Sequence, residues 1–377
     1  MIQTDTKATE HLPSKSAHEA LEAYRNWSRY MQDLLNRKID QVRSGENVEG
    51  MDLMGSLVGS AYGQEPNPTE KHGQSITSKG VLSESHILGN AFVMIIAGHE
   101  TTANSLFISL IELAIKPESQ RQAQLEIQEI YGDKAPENWI YDSTINKLLG
   151  GMLGAILSEQ LRLMPPSITI PKTVLQDQDI MVDGKRVTFF AGTQLNLIAF
   201  GAHRNPRYWP TKPSTVSHRR DDLDDFKPER WLVKHGAGDK LQPEGVIEPS
   251  KDHGSGVVNT KTKSSNIFRP TPGSYFPFSE GARSCLGRRL AQVEIMAALA
   301  IIFQQHSIEL AVDEWASDDE VAAMSIDEKI SLYEKAKEKA RQTMRTARTV
   351  ITLKLQSGSI PIRVVKKGEE RFIKHMQ

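Results

Sequence analysis

Phe278-Ser279-Glu280-Gly281-Ala282-Arg283-Ser284-Cys285-Leu286-Gly287 carries the only cysteine of 377 residues and runs into an apolar stretch with helical spacing. Gly281 lies four residues before the thiol and Gly287 two after it, so the backbone can turn tightly on either side. Arg283, Arg288 and Arg289 surround it in sequence. Cations and a helix N-terminus both favour thiolate over thiol, and a thiolate held there can ligate a metal. The competing reading is a small buried hydrophobe, a common fate of a free cysteine. With a single cysteine there is no internal disulfide framework.

Three further segments bear on the choice. Ala97-Gly98-His99-Glu100-Thr101-Thr102 lies within an apolar stretch from Leu82 to Ile115, with Ser83 placed to cap a helix and Ile87, Phe92, Ile95 and Ile96 expected to keep it buried. Glu100 and Thr101 need a reason to be there. Either Thr101 bonds a carbonyl one turn back and Glu100 meets a basic partner, or the pair does chemistry. His99-Glu100 does not begin a zinc-binding HExxH, because position 103 is alanine. Glu159 and Arg162 are neighbours on one face of a helix expected over 144–163 and stopped by Pro165-Pro166. Phe226-Lys227-Pro228-Glu229-Arg230-Trp231 offers Arg230 as a third charged partner.

In their order along the chain and at their separations, the four segments resemble the AGx[DE]T[TS], ExxR, PERF and FxxGxRxCxG elements of the cytochromes P450, over Leu82 to Val365. The resemblance is to the eukaryotic, filamentous-fungal kind. It implies a mainly α fold with small β-sheets. It makes Cys285 the axial ligand of a haem b iron, with Phe278, Gly281, Arg283 and Gly287 in the cofactor loop and Lys172 as a propionate partner. Glu100 and Thr101 become the proton-handling pair, and Glu159, Arg162 and Arg230 a structural ion cluster. The implied activity is haem-thiolate monooxygenation of a lipophilic small molecule by dioxygen, in secondary metabolism. Electrons would come from NADPH through a separate flavoprotein reductase, with Arg288 and Arg289 as part of a docking face. The alternatives are a truncated haem-binding pseudoenzyme without turnover and a helical scaffold without cofactor. His203, before Arg204-Asn205, is given no role.

Composition agrees with a helical globular chain. The 46 basic and 47 acidic side chains leave no global field to attract nucleic acid, and 38% hydrophobic residues can build a sizeable core. One P450 domain over residues 1–377 is expected, incomplete at its N-terminus, with the helices of residues 17–60 preceding the oxygen-binding helix. Residues 234–266, rich in Gly, Ser, Lys and Asp, read as a flexible surface insertion, and the charged stretch 313–348 as loosely held surface. Residues 169–197 alternate like short strands, as do 349–365, read as a terminal hairpin. Family members of this kind are anchored in the endoplasmic reticulum, whereas here an intracellular location without a membrane-spanning segment is expected, no run of about 18 uncharged apolar residues being present.

Overall fold

A computed structural model describes residues 14–45, 53–62, 82–216, 219–232, 267–349, 352–356 and 358–376. The stretch read as a flexible insertion lies outside the described residues. Contacts divide the chain into two units, Met1–His99 and Glu100–Gln377, with the boundary inside one long helix.

In the first unit α1 (Lys15–Arg43) packs on α2 (Leu53–Tyr62) and on the first turns of α3 (Glu84–Ile115). Met31, Leu35 and Ile39 follow one another at helical spacing and close a core with Met54, Val58, Ile87 and Ala91. Trp27 meets Phe92 edge to face at 4.6 Å between ring centres. Ser83 caps α3 through its hydroxyl, which accepts from the His86 N–H at 3.3 Å. Ile87 is buried as expected, but Ile95 and Ile96 are about half exposed (48% and 49%), because α3 is apolar on several faces and is covered on only part of its surface. By length and composition α3 alone among the described helices could cross a membrane. Its later turns are core instead: Ser105, Ser109, Ile108, Ile111, Leu113 and Ala114 are buried in the second unit.

The second unit is built on α3, α4 (Pro117–Tyr131), α5 (Tyr141–Gly150), α6 (Met152–Leu163) and α8 (Arg288–Gln305), whose apolar faces share one core. α4 begins at Pro117 and ends at Gly132, where φ is +58°, as the placement of proline and glycine predicts. The helix expected over 144–163 is two helices. Gly151 is extended (φ −113°, ψ −154°) and breaks it, and the Glu126 carboxylate reaches across from α4 to accept the Met152 N–H at the new N-terminus. α6 is buried along almost its whole length, its polar Glu159, Gln160 and Arg162 included.

Four short strands follow: β1 (Thr169–Thr173), β2 (Gln178–Val182), β3 (Lys185–Phe189) and β4 (Gln194–Ile198). β2 and β3 form a hairpin whose turn residues, Asp183 and Gly184, both have positive φ (46° and 75°), and β1 pairs antiparallel with β4. The single turn α7 (Ala199–Ala202) leads to His203.

Two expectations are corrected near the C-terminus. After β5 (His306–Leu310), the charged stretch is ordered as α9 (Asp318–Ala323) and α10 (Ile326–Met344). Ser317 with Glu320 and Ser325 with Glu328 form two capping boxes, and Tyr333, Ala336, Ala340 and Met344 face the core. Glu328 is spent on its cap. In the terminal stretch, β6 (Arg348–Thr349) pairs with β7 (Leu353–Lys354), but β8 (Ile362–Lys366) pairs with β5, residue Ile308 opposite Val364.

Candidate functional site

The most enclosed charges of the second unit lie on α6. Glu159 and Arg162 are both fully buried, and a short 3-10 turn, Pro228–Trp231, lays Arg230 beside them. Glu159 accepts five N–H groups: Arg162 Nε and Nη2 at 2.8 and 2.9 Å, Arg230 Nε at 3.0 Å, Trp231 Nε1 at 2.8 Å and the Lys227 backbone at 3.0 Å. Burial alone would raise the Glu159 carboxyl, but Arg162, Arg230 and the Trp231 indole outweigh it and hold the group below the ordinary carboxylate range. Arg162 donates onward to the carbonyls of His203 (3.2 Å) and Leu223 (2.8 Å), and Arg230 to that of Asp222 (2.7 Å). Glu229 fixes the same turn to α4 by accepting from Lys116 at 2.8 Å and Ser119 at 2.9 Å.

An aromatic shell closes over the cluster. Trp209, Trp231 and Tyr275 pack at 4.9–6.1 Å between ring centres, and the Arg162 guanidinium lies 5.4 Å from the Trp209 ring. Tyr275 donates to the Ser158 carbonyl at 3.2 Å, tying the start of the cysteine segment to α6.

The cysteine loop grows from that anchor. Ser279 adopts φ +60° and Gly281 φ +79°, and between them and Cys285 the chain closes on itself: the Cys285 N–H donates to the Phe278 carbonyl at 2.8 Å, the Ser279 N–H to the Phe276 carbonyl at 3.0 Å. A 3-10 turn, Gly281–Arg283, carries the arginine, and α8 starts at Arg288. Cys285 is a free, exposed thiol, and Arg283 is exposed beside it in sequence. Gly281 and Gly287 both face open space where a side chain would stand. Arg288 leans over the Phe278 ring (5.5 Å), and Arg289 donates to the Tyr141 hydroxyl at 3.2 Å.

Cofactor fit follows from this donor set. Among the described residues no three His, Cys, Asp or Glu side chains gather as a metal cage. A single thiol presented outward, on a loop whose glycines leave a flat approach, suits a cofactor that brings its own remaining ligands.

The remaining sequence-selected residues sit on other elements. Glu100 pairs with Lys354 of β7, and Ser105 donates to the Thr101 carbonyl at 3.0 Å. Lys172, half buried, lies on β1 opposite Leu195. Next to Lys354 is a cavity of about 300 Å³ lined by Asn104, Phe107, Ile108, Met164 and Leu353. Asn104 spans from α3 to the Thr352 hydroxyl at 3.0 Å. Sequence reading missed Lys354, Trp231, Asp222 and His203. The first lies about 250 residues from Glu100 in the chain and carries no local signal. Trp231 directly follows Arg230, and a large aromatic with one donor beside a charged turn was a legible hint.

Over 307 residues the chain is 29% identical to the cytochrome P450 monooxygenase AOL_s00215g278 of Arthrobotrys oligospora, a match covering 79% of this chain and 48% of that protein. It is 26% identical to the cytochrome P450 monooxygenase prx9 of Penicillium rubens (78% and 47% covered), and 25% identical to the 11-oxo-beta-amyrin 30-oxidase of Medicago truncatula (82% and 47%). The chain thus spans about half the length of the curated relatives it matches. The family profile described as Cytochrome P450 matches residues 8–332, which include the buried Glu159–Arg162–Arg230 cluster and the Cys285 loop, and the chain belongs to the cytochrome P450 family.

Proposed function

We propose that this protein binds haem through the Cys285 thiolate and works as a monooxygenase that hydroxylates a lipophilic small molecule in specialised metabolism. The observation that carries the reading is the pairing of an exposed thiol with a loop tied to a fully buried ion cluster. A flexible loop could present a thiol, but not hold its position against a rigid cofactor. The relatives support the reaction class, two being named monooxygenases and one an oxidase of 11-oxo-beta-amyrin.

Bound haem supplies the one-electron and dioxygen chemistry. The net reaction converts a C–H bond, dioxygen, two electrons and two protons into an alcohol and water. The chain's own groups do the rest. Cys285 would supply the thiolate that holds the iron, with Phe278, Gly281 and Gly287 shaping its loop. Arg283, exposed on its 3-10 turn, presents a fork suited to a propionate carboxylate, and Lys172 a point charge for the same kind of group. Thr101 and Glu100 would move protons, the carboxylate oriented by its ion pair with Lys354. NADPH supplies the electrons through a separate flavoprotein reductase inside the cell, with Arg288 and Arg289 on the exposed face that receives it.

The test is the absorption spectrum of the purified chain after haem loading, reduced and exposed to carbon monoxide, next to Cys285→Ala. A strongly red-shifted Soret band in the parent alone is expected, followed by product formation with reductase and NADPH. A folded parent without that band, or with a band that survives Cys285→Ala, overturns thiolate ligation. A parent with the band but no turnover on any lipophilic substrate would overturn the monooxygenase assignment alone.

A further inference from the structure

His203 is fully buried, yet none of the chemistry above uses it. Its backbone belongs to the ion cluster: the carbonyl accepts Arg162 Nη1 at 3.2 Å, and the N–H donates to the Ala199 carbonyl at 2.9 Å. Its ring belongs to the cysteine segment. Nε2 lies 2.9 Å from the Phe276 backbone N–H, and the imidazole packs against Tyr275 at 5.1 Å and Phe276 at 5.3 Å between ring centres. A backbone N–H can only donate, so Nε2 must be the unprotonated nitrogen and Nδ1 must carry the hydrogen. Nδ1 is buried and completes no short hydrogen bond, though the Arg162 and Leu161 backbone carbonyls of α6 lie near enough to act on the ring.

The Nε2 bond is a link in a continuous chain. Glu159 holds Arg162, Arg162 holds the His203 carbonyl, and His203 Nε2 holds the Phe276 N–H. The Phe276 carbonyl in turn accepts from Ser279, at the positive-φ corner, and Phe278 accepts from Cys285 itself. Tyr275 reaches α6 separately through Ser158, but it fixes the segment one residue earlier and by its ring, not by the backbone that forms the loop.

We propose that His203 is a positioning residue which transmits the rigidity of the buried Glu159–Arg162–Arg230 cluster to the Cys285 loop through its Nε2 acceptor. It rests on the haem-thiolate reading only for its final consequence, the direction in which the thiolate is presented. The mechanical link belongs to the protein alone.

The experiment compares the full chain with His203→Leu, which fills the site but has no acceptor, and His203→Gln, whose side-chain carbonyl can reach the place of Nε2. Hydrogen exchange of the 276–287 segment is measured by mass spectrometry, and the alkylation rate of Cys285, the sole thiol, is followed in parallel. His203→Leu should speed exchange in that segment about fivefold, the weight of one ordinary hydrogen bond, with Cys285 alkylation altered and α10 exchange unchanged. His203→Gln should return both towards the parent. After haem loading, the fraction showing the red-shifted carbon monoxide band should fall in Leu and recover in Gln. Unchanged loop exchange in Leu, or a Gln variant as loose as Leu, overturns the proposal. If Leu does not fold, Gln decides alone: a folded Gln variant with parent-like loop exchange supports it, and faster exchange sinks it. Loss of the haem band in the parent with the exchange pattern intact would count against the cofactor and not against His203.

Discussion

Glu159→Gln tests what holds the candidate site together. The substitution keeps the shape of the side chain and removes its charge. In the parent the carboxylate receives five N–H groups within 2.8–3.0 Å, three of them from two guanidinium groups, and it is fully buried. Glutamine offers one acceptor oxygen and turns an NH₂ towards groups that can only donate, so Arg162 keeps its charge in the interior with no counter-ion. Removing one partner of a buried pair costs about 3–5 kcal/mol. Against a typical domain stability of about 5–15 kcal/mol, that is a large share. Urea denaturation of parent and variant measures it directly. The sign with pH is a second check. The folded pKa of Glu159 is lowered, so its stabilisation is complete above the unfolded carboxyl value and is lost as pH falls through the folded one. The gap between parent and variant should therefore be widest near neutrality and narrow on acidification. A loss below about 1 kcal/mol at pH 7, or a gap that widens as pH falls, would refute the view that this cluster is a paired buried charge network.

Four other outcomes are expected. Glu112→Gln should stabilise the chain above pH 7 by up to about 3 kcal/mol, because enclosure pushes this half-buried carboxyl up to about 7 and its ionisation above that costs folding energy; the gain should vanish below about pH 4.5, read from thermal melts across pH. With that slope removed, the buried His203 imidazole, lowered to about 4 chiefly by desolvation, should leave a stability that rises between about pH 4 and 6.5. Gly151→Ala should cost about 1 kcal/mol in urea denaturation, since its new methyl would push the Glu126 carboxylate off the Met152 N–H that it caps. Ser325→Ala should remove one of the capping boxes and cost about 1 kcal/mol, with hydrogen exchange rising in the first turn of α10.

Local chemistry made part of this protein legible. The bounds of α4 follow from Pro117 and Gly132, the β2–β3 turn from Asp183-Gly184, and the start of the Cys285 helix from the change to apolar helical spacing after Gly287. Each depends on residues within a few positions of one another. The capping boxes of α9 and α10 were equally local, in Ser317-x-x-Glu320 and Ser325-x-x-Glu328, and were hidden only by the charge around them.

Other features were decided by groups distant in sequence. Gly150-Gly151 permits a helix break, but the Glu126 carboxylate from another helix is what caps the new end. β8 could have folded back on β7, yet β5 offers it a full five-residue ladder in the core. Glu159 and Arg162 as sequence neighbours are equally a surface pair or a buried one; the enclosing Arg230, Trp231 and Trp209 settle it, because an ion pair's character is set by the dielectric and donors around it. The sequence determined which residue carries the thiol and that its loop can turn. Only the tertiary structure decided that the loop hangs from Arg162 through His203, since a hydrogen bond across 73 positions leaves no trace in the local pattern at either end.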